Sequence, residues 1–138
     1  MLCYKNGALA RERLRDKYAG GNWLEFNEMV KNSPPGCGGF IGFYFPLLEI
    51  IPLNVIGEFF FTTNHIETAD DQPLQVDCIP TSVHPRAILE SQLLSIRSRI
   101  QRILPEGLPP LRRLVLSGGS SSNQIIRQIA AVSPSLPV

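Results

Sequence analysis

The chain is poor in the features that mark most chemistries. Charged residues fill only 18% of its 138 positions and the formal net charge is +1, so no broad electrostatic pull toward nucleic acid or an anionic membrane exists. No basic patch interleaved with aromatics occurs, which removes the footprint of a nucleic-acid binder. Cysteine is sparse: Cys3, Cys37 and Cys78 are odd in number and far apart. That is unlike a disulfide framework or a zinc knuckle, and the three read as reduced thiols of a cytoplasmic protein. Long apolar runs are absent as well. The longest, from Phe40 to Val55, is broken by Pro46, Glu49, Pro52 and Asn54 and is unfit to cross a bilayer. Lys5, Arg11, Arg13 and Arg15 interrupt any secretion-type apolar core near the start. Neither a P-loop (G-x-x-x-x-G-K-S/T), nor a nucleophile elbow (G-x-S-x-G), nor a dinucleotide fingerprint is present. His65, near Asn64 and Glu67, lacks metal-ligand spacing, and His84 reads as a helix-capping or solvent residue rather than a catalyst.

What remains is a folded domain. Hydrophobic residues make up 43% of the chain, and a single domain of this length buries roughly two thirds of its extended surface. The most telling segment runs from Arg112 to Val132. Leu114, Val115 and Leu116 form a short apolar run suited to a buried strand. Gly118 and Gly119 break it, three serines follow, and an amphipathic helix begins. Two residues without Cβ let a flat ligand lie against bare backbone, and unpaired N–H groups at a helix start attract polar acceptors. The same turn also serves as a plain packing device in many α/β proteins.

Along the rest of the chain, Ala8–Tyr18 reads as a helix ended by Gly20-Gly21. Asn22 caps a second helix, with Glu25 at capping-box spacing and Trp23, Phe26 and Val30 on one face. Residues 33–39 are loop. Strands follow at Phe40–Phe45, where Gly42 signals a bend or close approach, and at Glu58–Thr63. Asn64–Thr81 reads as loop. The longest helix spans His84–Leu104 with Pro85 in its first turn and Leu89, Leu93, Ile96, Ile100 and Ile103 as its inward stripe. Arg86, Arg97, Arg99 and Arg102 read as its solvated face. Pro105, Gly107 and Pro109-Pro110 end it. In the last helix Ser121 and Gln124 have capping-box spacing, and Ile125, Ile126 and Ile129 point inward; Pro134 stops it, and Pro137-Val138 resembles a strand beginning.

These pieces resemble the xylulose kinases, within the FGGY group of carbohydrate kinases, and are most similar to fungal members. The similarity is carried by Leu2-Cys-Tyr-Lys-Asn-Gly7, Asn22-Trp23, and the stretch from Gly39 to Pro52. Ala87-Ile-Leu-Glu-Ser-Gln92 and Ser117-Gly-Gly-Ser-Ser-Ser-Asn123 complete it, five anchors in the family's order. The resemblance implies an α/β fold of the actin-like ATPase and ribonuclease H type. Residues 1–138 would be a partial C-terminal, nucleotide-binding domain, incomplete at both ends, without the N-terminal sugar-binding domain.

By the same resemblance the parent enzyme transfers the γ-phosphoryl group of ATP, held with Mg²⁺, to D-xylulose, and works by positioning and charge screening. Gly118 and Gly119 would lie against the nucleotide, Asn123 would hydrogen-bond it, and Trp23 would pack on the adenine side. No catalytic or metal-binding residue falls in this stretch: Asp16, Asp70, Asp71 and Asp77 lie in none of the family's motifs. Residues 77–84 fit the second signature poorly. ATP or ADP is the implied partner, with D-xylulose bound through the other domain. A different class stays open: a catalytically inactive nucleotide-binding or interaction module of the same fold.

Overall fold

The computed structural model describes residues 3–68, 71–104 and 115–132. Asp70, Leu114 of the expected strand, the helix-ending Pro105, Gly107 and Pro109-Pro110, and the closing Pro134 and Pro137-Val138 lie outside them. Among the described residues, four helices and a three-stranded antiparallel sheet make an α/β arrangement.

Helix α1 (Gly7–Tyr18) buries Ala10 and Leu14 and carries Arg15 and Lys17 in its last turn, where cations suit the helix dipole. Gly20 and Gly21 then turn the chain at φ of 55° and 77°. Helix α2 (Trp23–Asn32) starts at Asn22, whose side chain accepts from the Leu24 amide at 2.8 Å. Phe26 and Val30 are buried, whereas Trp23 is 36% exposed.

Strands β1 (Phe40–Phe45), β2 (Gly57–Thr62) and β3 (Leu74–Val76) pair in that order, with Phe43 opposite Phe59 and Phe60 opposite Val76. The alternation sorts the aromatics. Tyr44 and Phe60 turn to the core, their rings 5.8 Å apart, while Phe43, Phe45, Phe59 and Phe61 share the other, half-buried face. A Cβ on Gly42 would come within 2.5 Å of the Tyr44 hydroxyl, so the close approach expected there is to a neighbouring side chain. β3 interrupts a stretch expected to be loop. Three residues are too few to show a period of two, and only the pairing with β2 makes them a strand.

Helix α3 (His84–Ile103) packs against β1 and buries Ala87, Ile88 and Leu89. Two of its expected solvent residues are structural. His84 is buried, stacked on Tyr18 at 4.3 Å, and its Nδ1 lies 2.8 Å from the Tyr44 hydroxyl. Arg86 pairs with Glu90 at 2.6 Å and donates to the carbonyls of Val30 and Ser33, because the last turn of α2 leaves those oxygens unpaired. The inward stripe holds only for the first half of α3; Ile103 is 66% exposed.

Helix α4 (Gln124–Val132) is capped by Asn123, not Ser121: its Oδ1 accepts from Ile125 and Ile126, while the Ser121 hydroxyl turns back to the Gly118 carbonyl. Ile125 and Ala130 are buried, and Ile126 and Ile129 pack against the core. Val115 and Leu116 are not in a strand, and Val115 is 77% exposed. Among the described residues the sheet consists of β1, β2 and β3, and none of these strands pairs with this run.

Candidate functional site

A cavity of about 670 Å³ opens between α1, α2 and the short 3-10 turn Gly119–Ser122 that leads into α4. That is the size of a small-molecule pocket. Trp23, Gly119 and Asn123, three of the four residues singled out from the sequence, line it together with Arg11, Asn27 and Ser120. Gly118 does not line it; it sets the turn, with φ of 81° and ψ of −175°, a conformation closed to other residues. Gly119 is different. A Cβ there would meet nothing within 4 Å, so its bare backbone faces open space.

The indole of Trp23 packs edge-on against Phe26 at 5.3 Å and carries the Arg15 guanidinium 4.8 Å from its ring centre. It is held from two sides yet still reaches the cavity. Asn123 is busier than a free ligand contact would be. Its carbonyl caps α4, and its amide donates to Asn27 Oδ1 at 3.0 Å, which leaves one amide hydrogen to give. Glu28 and Lys31 on the rim pair with each other at 2.6 Å. Burial pushes the Arg11 pKa down and Glu12 opposes this, but a guanidinium stays charged.

A second cavity, of about 520 Å³, lies against the outer aromatic face of the sheet and is lined by Phe43, Phe45, Phe59, Phe61, Ile88 and Ile96 among others. Its rim is fixed by Glu49, a buried carboxylate that accepts from the amides of Lys5, Asn6 and Ile50 and from the Asn6 side chain. Burial alone would raise its pKa, but these four hydrogen bonds outweigh it and the net direction is down. Lys5-Asn6 and Glu49 therefore form one structural joint.

Among the described residues, neither cavity is lined by a histidine or a cysteine. Among the described residues no three His, Cys, Asp or Glu side chains group closely enough to hold a metal ion. The first cavity brings a flat indole, bare backbone and polar side chains to one wall. No family model matches the chain. It aligns with the mouse xylulose kinase at 35% identity over 95% of its length, with xylulose kinase 2 of Arabidopsis thaliana at 34% over 96%, and with the probable D-xylulose kinase A of Aspergillus fumigatus at 36% over 94%. This chain is a relative of the xylulose kinases. It spans about a quarter of the length of these curated relatives, 22% to 26% of each.

The structure places several of the sequence anchors of that kinship away from the first cavity. Asn6 and Glu49 make the joint described above, and Gly39 turns the chain into β1 at φ of 84°. Gln92 on α3 braces Arg11, accepting from it at 2.6 Å. Sequence reasoning missed Arg11, Asn27 and Ser120 as members of the cavity wall. Nothing in their spacing links them, because Asn123 and Asn27 are 96 positions apart and Arg11 and Ser120 are 109 apart.

Proposed function

We propose that this chain supplies the adenosine-binding side of an ATP-dependent sugar kinase that phosphorylates D-xylulose. Residues 1–138 act as the nucleotide-binding part of a C-terminal domain of the actin-like, ribonuclease H type, and the sugar site and catalytic aspartate belong to another domain. The observation that carries this reading is the convergence of Trp23, Gly119 and Asn123 on one cavity of about 670 Å³. These residue types suit a purine: a flat indole, a backbone stretch without a side chain, and an amide with a hydrogen still to give. The kinship with proteins named xylulose kinases supplies the substrate.

Within such a site the chain's own residues bind and orient. Trp23 flanks the base, Gly119 allows it close to the backbone, and Asn123 donates to it or to the ribose. Transfer of a phosphoryl group depends chiefly on such positioning. The residues described here do not form a metal cage. Mg²⁺ enters as the counter-ion of the nucleotide phosphates, and no residue of this chain is assigned to it.

The test is nucleotide titration of the chain, followed by the fluorescence of its one tryptophan. ADP should change that signal saturably at micromolar to millimolar concentration, whereas D-xylulose alone should not. A flat trace up to several millimolar ADP would remove the nucleotide site. A longer protein containing this stretch should then phosphorylate D-xylulose in preference to other ketopentoses.

A further inference from the structure

The Gly119–Ser122 turn is held together almost entirely by itself. Ser121 donates from its amide and its hydroxyl to the Gly118 carbonyl, the Ser122 hydroxyl donates to Gly119, and the Asn123 amide donates to Ser120. Local bonds of this kind give a turn its shape but do not say where it sits. Among the described residues, two side-chain hydrogen bonds tie it to the body of the domain. At its far end Asn123 reaches Asn27, one helical turn along from Trp23. At its near end the Ser120 hydroxyl accepts from Arg11 Nη2 at 2.7 Å.

Arg11 is braced from behind. Its Nη1 donates to Gln92 Oε1 at 2.6 Å, and Gln92 Nε2 donates in turn to the Gly7 carbonyl at 3.0 Å. The guanidinium thus spans α1, α3 and the turn, and it lies on the wall shared by both cavities. Among the described residues it makes no ion pair with a carboxylate. Glu12 acts on it only through space, and a half-buried charge without a direct ion pair is a costly way to fill space. Its rigid planar fork, however, is well suited to hold two acceptors at a fixed angle.

We infer that Arg11 is a positioning residue of the nucleotide cavity, holding the Ser120 end of the glycine–serine turn opposite Trp23 through a Gln92–Arg11–Ser120 relay. This rests on the nucleotide reading given above. The relay fixes the turn before ligand arrives, so the nucleotide does not have to order it on binding.

The experiment compares the unaltered chain with Arg11→Gln, Ser120→Ala, their double variant and Gln92→Leu. ADP affinity is read from Trp23 fluorescence, and amide hydrogen exchange at 118–123 is read without ligand. Gln92 does not line the nucleotide cavity, and its hydrogen bonds reach that cavity through Arg11 and through Gly7 at the start of α1, so a loss that Ser120→Ala shares with it belongs to the Arg11 branch. Ser120→Ala should weaken ADP binding about tenfold, with an unchanged thermal midpoint and faster exchange confined to the turn. Gln92→Leu should show the same pattern more weakly, and the double variant should be no worse than Arg11→Gln alone. If the unaltered chain binds ADP and Ser120→Ala and Gln92→Leu bind it equally well, with unchanged exchange, the relay has no positioning role and the nucleotide reading stands. If the unaltered chain does not bind ADP, both fall together. Should Arg11→Gln fail to fold, the Ser120 and Gln92 variants decide the matter.

Discussion

Replacing Gly119 by valine separates a ligand effect from a folding effect. The backbone there is not left-handed, and an added Cβ meets no heavy atom within 4 Å. The folded chain should therefore accept the side chain at a cost within about 0.5 kcal/mol, the usual range for a surface change. A bound purine would not accept it. A ring resting on bare backbone sits about 3.5–4.0 Å away, and a branched side chain would have to occupy that gap. Overpacking of this kind costs about 1–3 kcal/mol, equivalent to a roughly 5- to 150-fold weaker Kd.

Gly118→Ala is the matched control. Its φ of 81° lies where alanine is strained, so it should lose about 1–3 kcal/mol of stability although its side chain would not line the cavity. The assays are ADP titration by Trp23 fluorescence and thermal unfolding of each variant. If Gly119→Val kept full ADP affinity, the idea that the nucleotide lies against this position would be wrong. An equal loss of stability at both glycines would remove the distinction between them.

Further outcomes follow from the same geometry. Burial lowers the His84 pKa from its ordinary value, opposed by Glu58 and aided by Lys17. The unfolded chain therefore holds the extra proton over the window just below pH 6.5. Stability should be complete above that value and fall as pH drops through it, by up to about 1.4 kcal/mol per unit; urea melts of the unaltered chain and His84→Gln at pH 8 and pH 5.5 measure the slope, which the variant should lack. Burial, with Glu90 adding to it, pushes the Cys37 thiol up to about 12, so iodoacetamide at pH 8 should label the exposed Cys3 and Cys78 and spare Cys37 until the chain unfolds. Arg86→Ala leaves Glu90 with the Gly36 amide and the Cys37 thiol alone and unpairs two carbonyls, and should destabilise by about 1–3 kcal/mol, read by denaturant titration. The chain alone should transfer no phosphate from ATP to D-xylulose in a coupled assay, and robust turnover would refute the division of roles. With Leu47, Leu48, Ile50 and Leu53 all exposed along one short stretch, it should also self-associate, visible by light scattering, whereas a sharp monomeric transition would contradict this.

The elements were legible where local chemistry decides them. Helix α3 declared itself by apolar spacing and by Pro85 in its first turn, and α2 by Asn22 ahead of Trp23. β1 and β2 showed in their aromatic runs, and the turn at Gly118 in a residue pair that only a special backbone needs. The Trp23, Gly119 and Asn123 trio was drawn from motif resemblance, because periodicity alone leaves an indole on a helix as plain core.

Other features have no local cause. β3 exists because β2 offers it an edge, and His84 is buried because Tyr18 and Tyr44 close over it. Arg86 left the solvent because α2 ends with carbonyls in its reach, and Arg11 became a wall of the cavity through partners 81 and 109 positions away. Spacing and capping signals act over a few residues, and so they are written along the chain. Which side chains meet across a cavity depends on how the helices pack against the sheet, and that is settled only when the chain has folded.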